Sequence, residues 1–214
     1  MKSFFGSLRE TVATWRSRPR IPVPRGSDEL EVITRRFLLY GVMPLWFVPA
    51  VTDYLMHRRT DIEHTSGTRE SAIHALMMAE AGIPVMLGLF ARINPLVLGT
   101  MYVAAGIHAA TALWDVQVAT EDREVHPMEQ HIHSFLEVLP LTAIAFLSCL
   151  HWDQVRAFTG DDPDRWKLLP KRERLSGRYV ASIVAAVGGF IVLPYGEELF
   201  RCIRTQRRSA RSRG

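Results

Sequence analysis

Cysteine is nearly absent, with only Cys149 and Cys202 in 214 residues. That scarcity excludes any metal site built from several thiolates. No stretch that reads as a soluble enzymatic domain remains once the apolar blocks are set aside. The start of the first apolar block follows Thr34-Arg35-Arg36, as in an export signal, but the block is long and has no small-residue cleavage site, so it is expected to stay as an uncleaved helix.

What is present is segregation. Apolar residues make up 48% of the chain and gather into five blocks, 37–56, 72–90, 95–114, 134–152 and 179–195, with most charges between them. A hydrocarbon core of ~30 Å takes ~20 mainly apolar residues as helix, with ~17 as the lower limit. Four blocks exceed that limit and the fifth just reaches it. The alternative, a soluble protein with buried helices, fits poorly with blocks joined by turns as short as Ala91-Arg92-Ile93-Asn94. The expected fold is therefore all-α: an integral membrane bundle of about five transmembrane helices, four of them forming a metal-site bundle.

Three regions follow: a basic interfacial segment at 1–30, the bundle at 31–200 and a basic tail at 201–214. Phe4, Phe5, Leu8, Val12 and Trp15 recur at roughly helical spacing beside Lys2, Arg9 and Arg16, which predicts a short amphipathic helix on the membrane surface. The proline-rich run from Arg18 to Pro24 ends it. Basic clusters beside membrane helices read as headgroup contacts and topology signals, so membrane lipids are the expected partners and nucleic acid is not. With five crossings, the side holding the amino terminus collects sixteen basic residues against ten on the other. The positive-inside rule makes the first side cytoplasmic, in a multi-pass membrane protein. Cys149 and Cys202 then lie at opposite faces, beyond the ~7 Å reach of a disulfide.

Helical positions three, four or seven apart share a face. Asp53 and His57 end the first block; Glu70 and His74 precede and open the second; His108 and Asp115 close the third; Glu129 and His133 open the fourth. Each of four helices thus presents one carboxylate and one imidazole on a common stripe. Alternating topology brings those four ends to one membrane face, opposite the amino terminus. Glu80, His108 and Glu137 fall in a layer ~10 to 15 Å deeper. Small residues around His108 (Ala104, Ala105, Gly106, Ala109, Ala110 and Ala112) are read as packing, and Met77, Met78 and Met86 as filling.

Imidazole with carboxylate suits iron, zinc and manganese. Carboxylates bridging two cations, capped by histidines, are how helical bundles build dinuclear iron or manganese sites. The predicted ligands are Asp53, His57, Glu70, His74, His108, Asp115, Glu129 and His133, holding metal, expected as two ions with iron favoured. Glu80 and Glu137 are the candidate catalytic groups. His64, His126 and His131, in or near loops, remain open as substitutes. So does neutralisation of Glu63, Glu70 or Glu129 by Arg58, Arg59 or Arg69 without metal.

The segments His57-Arg-Arg-Thr-Asp-Ile-Glu63, Glu70-Ser-Ala-Ile-His-Ala-Leu-Met-Met-Ala-Glu-Ala-Gly-Ile-Pro84 and Glu129-Gln-His-Ile-His-Ser-Phe-Leu-Glu137 resemble a family of small bacterial integral-membrane proteins, over roughly residues 33–204. The family brings no activity to carry over. Some members bear a diguanylate cyclase label, which this chain does not support: it has no Gly-Gly-Asp-Glu-Phe signature and no cyclase-sized soluble segment.

The expected function is a metal-dependent membrane enzyme acting on a lipid or another hydrophobic substrate. Iron implies a hydroxylase- or desaturase-like oxidoreductase, although the paired His-x-x-His-His boxes of histidine-rich membrane oxygenases are missing. Zinc implies a hydrolase, with Glu137 or Glu80 as base. The alternatives are a metal or proton transporter or sensor that uses the deep trio as a path, and a b-type haem protein with His74 and His133 facing each other.

Overall fold

The computed structural model describes residues 28–160 and 163–212. The amphipathic helix expected near Phe4 to Trp15 lies outside the described residues. The chain divides after Ile33, and the unit Thr34–Gly214 contains the helical bundle.

The fold is all-α. Five helices are long and apolar enough to cross a membrane: α1 (Glu29–Arg59), α2 (Gly67–Phe90), α3 (Pro95–Asp122), α4 (Pro127–Leu150) and α5 (Gly177–Arg211). No strand occurs among the described residues, only an isolated bridge between Ala91 and Pro170. The chain is thus a multi-pass membrane bundle, as its blocks predict. Large apolar side chains that would be costly in water face outward, Leu113 and Leu193 among them at 69% and 70% exposure.

Helix ends follow local chemistry. Asn94 caps α3 by accepting from Val97 N at 3.0 Å, with Pro95 as the first helical residue, and Ser176 caps α5 from Tyr179 N. His126 plays the same part for α4, ahead of Pro127. Pro49, Pro84 and Pro140 sit inside α1, α2 and α4. Both α1 and α5 contain a π-helical turn, Leu38–Val42 and Gly188–Val192, each ending two residues before a proline, Pro44 or Pro194. A proline lacks the N–H for the preceding turn and crowds its carbonyl, and a widened turn relieves both.

α2 packs on α3 and α5, and α1 packs on α4. Trp46, Phe47, Ala50, Ala81, Leu136 and Tyr195 form one buried core, and Val97, Leu98, Met101 and Ile144 form another. Of the small residues around His108, Ala104 and Ala112 are buried, but Gly106, Ala109 and Ala110 turn outward, so that stripe packs on one edge only. Met77 joins the core, whereas Met86 faces outward. The segment 151–176 folds back over the α2–α3 turn. Arg92 N donates to Leu169 O at 2.8 Å, Lys171 N to Phe90 O at 2.9 Å, and Asn94 Nδ2 to Lys167 O at 2.8 Å. Both cysteines are free thiols.

Candidate metal centre

Three of the four carboxylate and imidazole pairs come together, and the fourth contributes only its carboxylate. Asp53, His57, Glu70, His74, Asp115 and Glu129 are all at most 3% exposed, and His133 is half-buried beside them. Within α1, His57 Nε2 lies 3.5 Å from Asp53 Oδ1, and within α2, His74 Nε2 lies 3.8 Å from Glu70 Oε1. The i, i+4 spacing delivers both pairs. α4 uses its pair differently. His133 Nε2 turns to Asp53 Oδ1 at 2.8 Å, while Glu129 Oε1 lies 3.6 Å from His57 Nε2.

α3 splits its pair. Asp115 enters the cluster, with both oxygens 3.2 Å from His74 Nε2. His108, expected as a ligand, is instead two helical turns deeper, where its Nδ1 lies 3.5 Å from Glu80 Oε2. Seven residues keep two side chains on one stripe but separate them by ~10 Å along the axis. Thr111 donates to Glu80 Oε1 at 2.9 Å, and Glu137 shares a cavity of about 40 Å³ with Glu80 and His108. The deep trio therefore exists as its own layer. Glu80 Oε2 and both His108 ring nitrogens are buried there without a hydrogen-bond partner.

Residues absent from the sequence prediction, Glu198 and Arg123 foremost, complete the cluster. Glu198 of α5 is fully buried and reaches His57 Nδ1 with Oε2 at 2.9 Å and His74 Nδ1 with Oε1 at 3.3 Å. One carboxylate thereby fixes two imidazoles, whose rings stack 4.4 Å apart and only 4° from parallel. An imidazole that donates from Nδ1 to a carboxylate keeps its Nε2 lone pair for a cation. Tyr195, one turn earlier, donates to Asp53 Oδ2 at 3.0 Å and to Ala50 O.

Arg123, just past the end of α3, is the second. Its guanidinium bonds Glu70 Oε1 at 2.5 Å, Glu70 Oε2 at 3.2 Å and Glu129 Oε2 at 2.9 Å, and also reaches Glu129 Oε1. Burial works against its charge, but Glu129 and Glu70 outweigh that and hold its pKa above the ordinary arginine value. Ser66 donates to Glu70 as well. The arginines suggested by sequence as neutralisers do other things: Arg58 binds Glu197, Arg69 binds Glu121, and Glu63 is held by Arg201. His64 pairs with exposed Asp61, His126 caps α4, and His131 stacks edge-on against Phe135, so none of the three joins the cluster.

The result has a paired layout. His57 Nε2 faces Asp53 and Glu129; His74 Nε2 faces Glu70 and Asp115. Donor atoms of His57, Glu70 and Glu129, and of Glu70, His74 and Asp115, lie within 4.8 Å of one another. Charge points the same way. Asp53, Glu70, Asp115, Glu129 and Glu198 supply five carboxylates against the single guanidinium of Arg123, four negative charges in excess when the imidazoles are neutral. At low dielectric such an excess calls for compensating positive charge, from protons on the imidazoles or from bound cations. His57 Nε2 and Asp115 Oδ1 take part in no hydrogen bond, although His57 Nε2 lies 3.5 Å from Asp53 Oδ1 and Asp115 Oδ1 lies 3.2 Å from His74 Nε2. Close approach without hydrogen-bond alignment is the arrangement expected of ligands that aim at a common ion.

No protein family, no curated protein and no solved structure matches the chain.

Proposed function

We propose that this cluster holds two divalent transition-metal ions and that the protein is a dinuclear metal enzyme of the bacterial cytoplasmic membrane, acting on a lipid or another hydrophobic substrate. One observation carries the reading. Two parallel imidazoles, positioned together by Glu198, turn their inner nitrogens to separate carboxylates inside a cage with four surplus negative charges. Two divalent cations would balance that surplus when the imidazoles are neutral.

Asp53, His57 and His133 would serve one ion, and His74 and Asp115 the other, with Glu70 and Glu129 between them and steadied by Arg123. Mixed imidazole and carboxylate donors favour iron, with zinc or manganese as the other candidates. Iron supplies dioxygen activation for hydroxylation or desaturation; zinc supplies an activated water for hydrolysis. Glu80 and Glu137, in the deeper layer with His108, are the groups proposed to move protons.

The deep layer supports a second reading, a cation or proton transporter, because Glu80 and His108 are buried and ionisable within the spans. One experiment separates the two. Iron-loaded protein is incubated with bacterial lipids, dioxygen and a reductant, zinc-loaded protein with the same lipids alone, and products are read by mass spectrometry. Lipids that gain oxygen, lose two hydrogens or are hydrolysed are expected. Unchanged lipids, combined with metal uptake by reconstituted vesicles, would favour the transporter.

A further inference from the structure

At the membrane face opposite the metal centre the bundle contains a cavity of about 490 Å³. That is within the ~300–1,000 Å³ of sites that enclose small organic ligands. Its walls come from α1, α2, α3 and α4 and are apolar, with Trp46, Val85, Leu89, Met101, Leu139 and Ile144 among them. Its rim is different. Arg35, Arg92, Lys171 and Arg172 stand there against two acids, Asp153 and Glu173. Both acids are engaged: Arg35 lies 3.6 Å from Glu173, and Gln154 donates to Asp153 at 2.7 Å.

The rim is built, not incidental. The returning segment is tied to the α2–α3 turn through Arg92 N and Lys171 N, and Lys171 Nζ donates to Gly88 O at 2.7 Å. Burial of Lys171 and the nearby Arg35 lower its pKa, a sign that cations are crowded there and that an anion would relieve them. An apolar chamber with a cationic mouth at headgroup depth has the charge and polarity profile of an amphiphile turned inward. At its inner end the cavity shares Ala81, Pro84, Pro140 and Ile144 with the small chamber that holds Glu80, His108 and Glu137.

We propose that this cavity binds one chain of an anionic phospholipid, one whose headgroup carries net negative charge, with the phosphate at Arg35, Arg92, Lys171 and Arg172 and the chain running inward toward the Glu80–His108 layer. Its role as substrate class rests on the metal-enzyme reading, whereas the binding itself does not. A chain held this way presents its distal part, not its ester end, toward the metal half of the bundle. Ala81 and His74 are seven residues apart on α2, so the chamber's inner wall and the cluster are ~10 Å apart along that helix.

The test uses the purified full chain in a neutral detergent, loaded with dioleoyl phosphatidylglycerol or dioleoyl phosphatidylcholine and read by native mass spectrometry, with metal content measured on the same samples. One phosphatidylglycerol per chain is expected, preferred over phosphatidylcholine and not displaced by inorganic phosphate. Ala143→Phe, which fills the chamber, is expected to weaken that adduct about tenfold or more, ~1.4 kcal/mol, at unchanged metal content. Arg92→Gln with Arg172→Gln is expected to erase the preference between the two lipids. Equal retention by Ala143→Phe, equal binding of both lipids by the parent chain, or displacement by inorganic phosphate would each overturn the proposal. Lipid bound specifically by a chain that holds no metal would uphold the cavity and remove the enzyme reading instead.

Discussion

Glu198 touches the outer nitrogens of His57 and His74 through different oxygens, so it positions both imidazoles without facing the ions itself. Partners of this kind contribute ~10–100-fold to metal affinity. Glu198→Gln is therefore expected to weaken binding of both ions by about that factor in a metal titration, with partial recovery in Glu198→Asp. Unchanged affinity would mean the contact is packing only. Arg123 gives a prediction of another kind. Removing one partner of a buried ion pair costs about 3–5 kcal/mol because the other charge is left uncompensated. Arg123→Met is expected to destabilise the metal-free protein on that scale and the metal-loaded protein much less, seen as a widened gap between their melting temperatures. Equal destabilisation of both forms would show that no cation shares the neutralisation of Glu70 and Glu129. Neither residue was legible in advance. Glu198 lies beyond the apolar block that ends at Tyr195, and Arg123 belongs to a connection with no helical phase to place it. Asp53 with His57 and Glu70 with His74 were legible, since a four-residue spacing fixes both face and height.

At the scale of elements, spacing and phase decide which side chains meet. The stripe on α3 is real, yet its seven-residue interval sends Asp115 to the cluster and His108 to Glu80. A shared face is a necessary condition for a shared site and not a sufficient one. The π turns carry a related lesson that no hydrophobic pattern announces. One extra residue in a turn shifts everything after it by ~100° around the axis. The turn at Gly188–Val192 thereby sets the direction of Tyr195 and Glu198, and the turn at Leu38–Val42 does the same for Asp53 and His57. Deleting Gly189, which returns α5 to a regular repeat, is expected to turn Glu198 out of the cluster and remove most bound metal, while helical content by circular dichroism stays the same. Full metal retention in that variant would contradict the assigned phase. The basic end of the chain also differs from a separate tail, for α5 continues through Arg211, and Arg201 reaches Glu63 from within the helix.

For the whole molecule, the number of spans and the meeting of four helix ends were readable because apolar blocks and charges alternate cleanly along the chain. The fifth span's part in the centre and the chamber at the opposite face were not, because both depend on how helices pack rather than on any one helix. The assembled picture is a bundle polarised along its length: a carboxylate and imidazole cage at one end, a buried acid and histidine layer below it, and a cation-rimmed apolar chamber at the other. Protons and metal compete for the same imidazoles, so metal affinity is expected to fall as the pH is lowered from about 9 to about 5, with protons taken up as metal leaves. Affinity independent of pH through that range would argue against imidazole ligands. The most direct test of the central claim is elemental analysis of the chain purified in detergent, beside Asp53→Ala and Asp115→Ala, which affect different halves of the cage. Two transition-metal ions per parent chain are expected, with a marked loss in each variant. A pure, folded chain with no metal, or one whose metal content neither substitution changes, would contradict that claim.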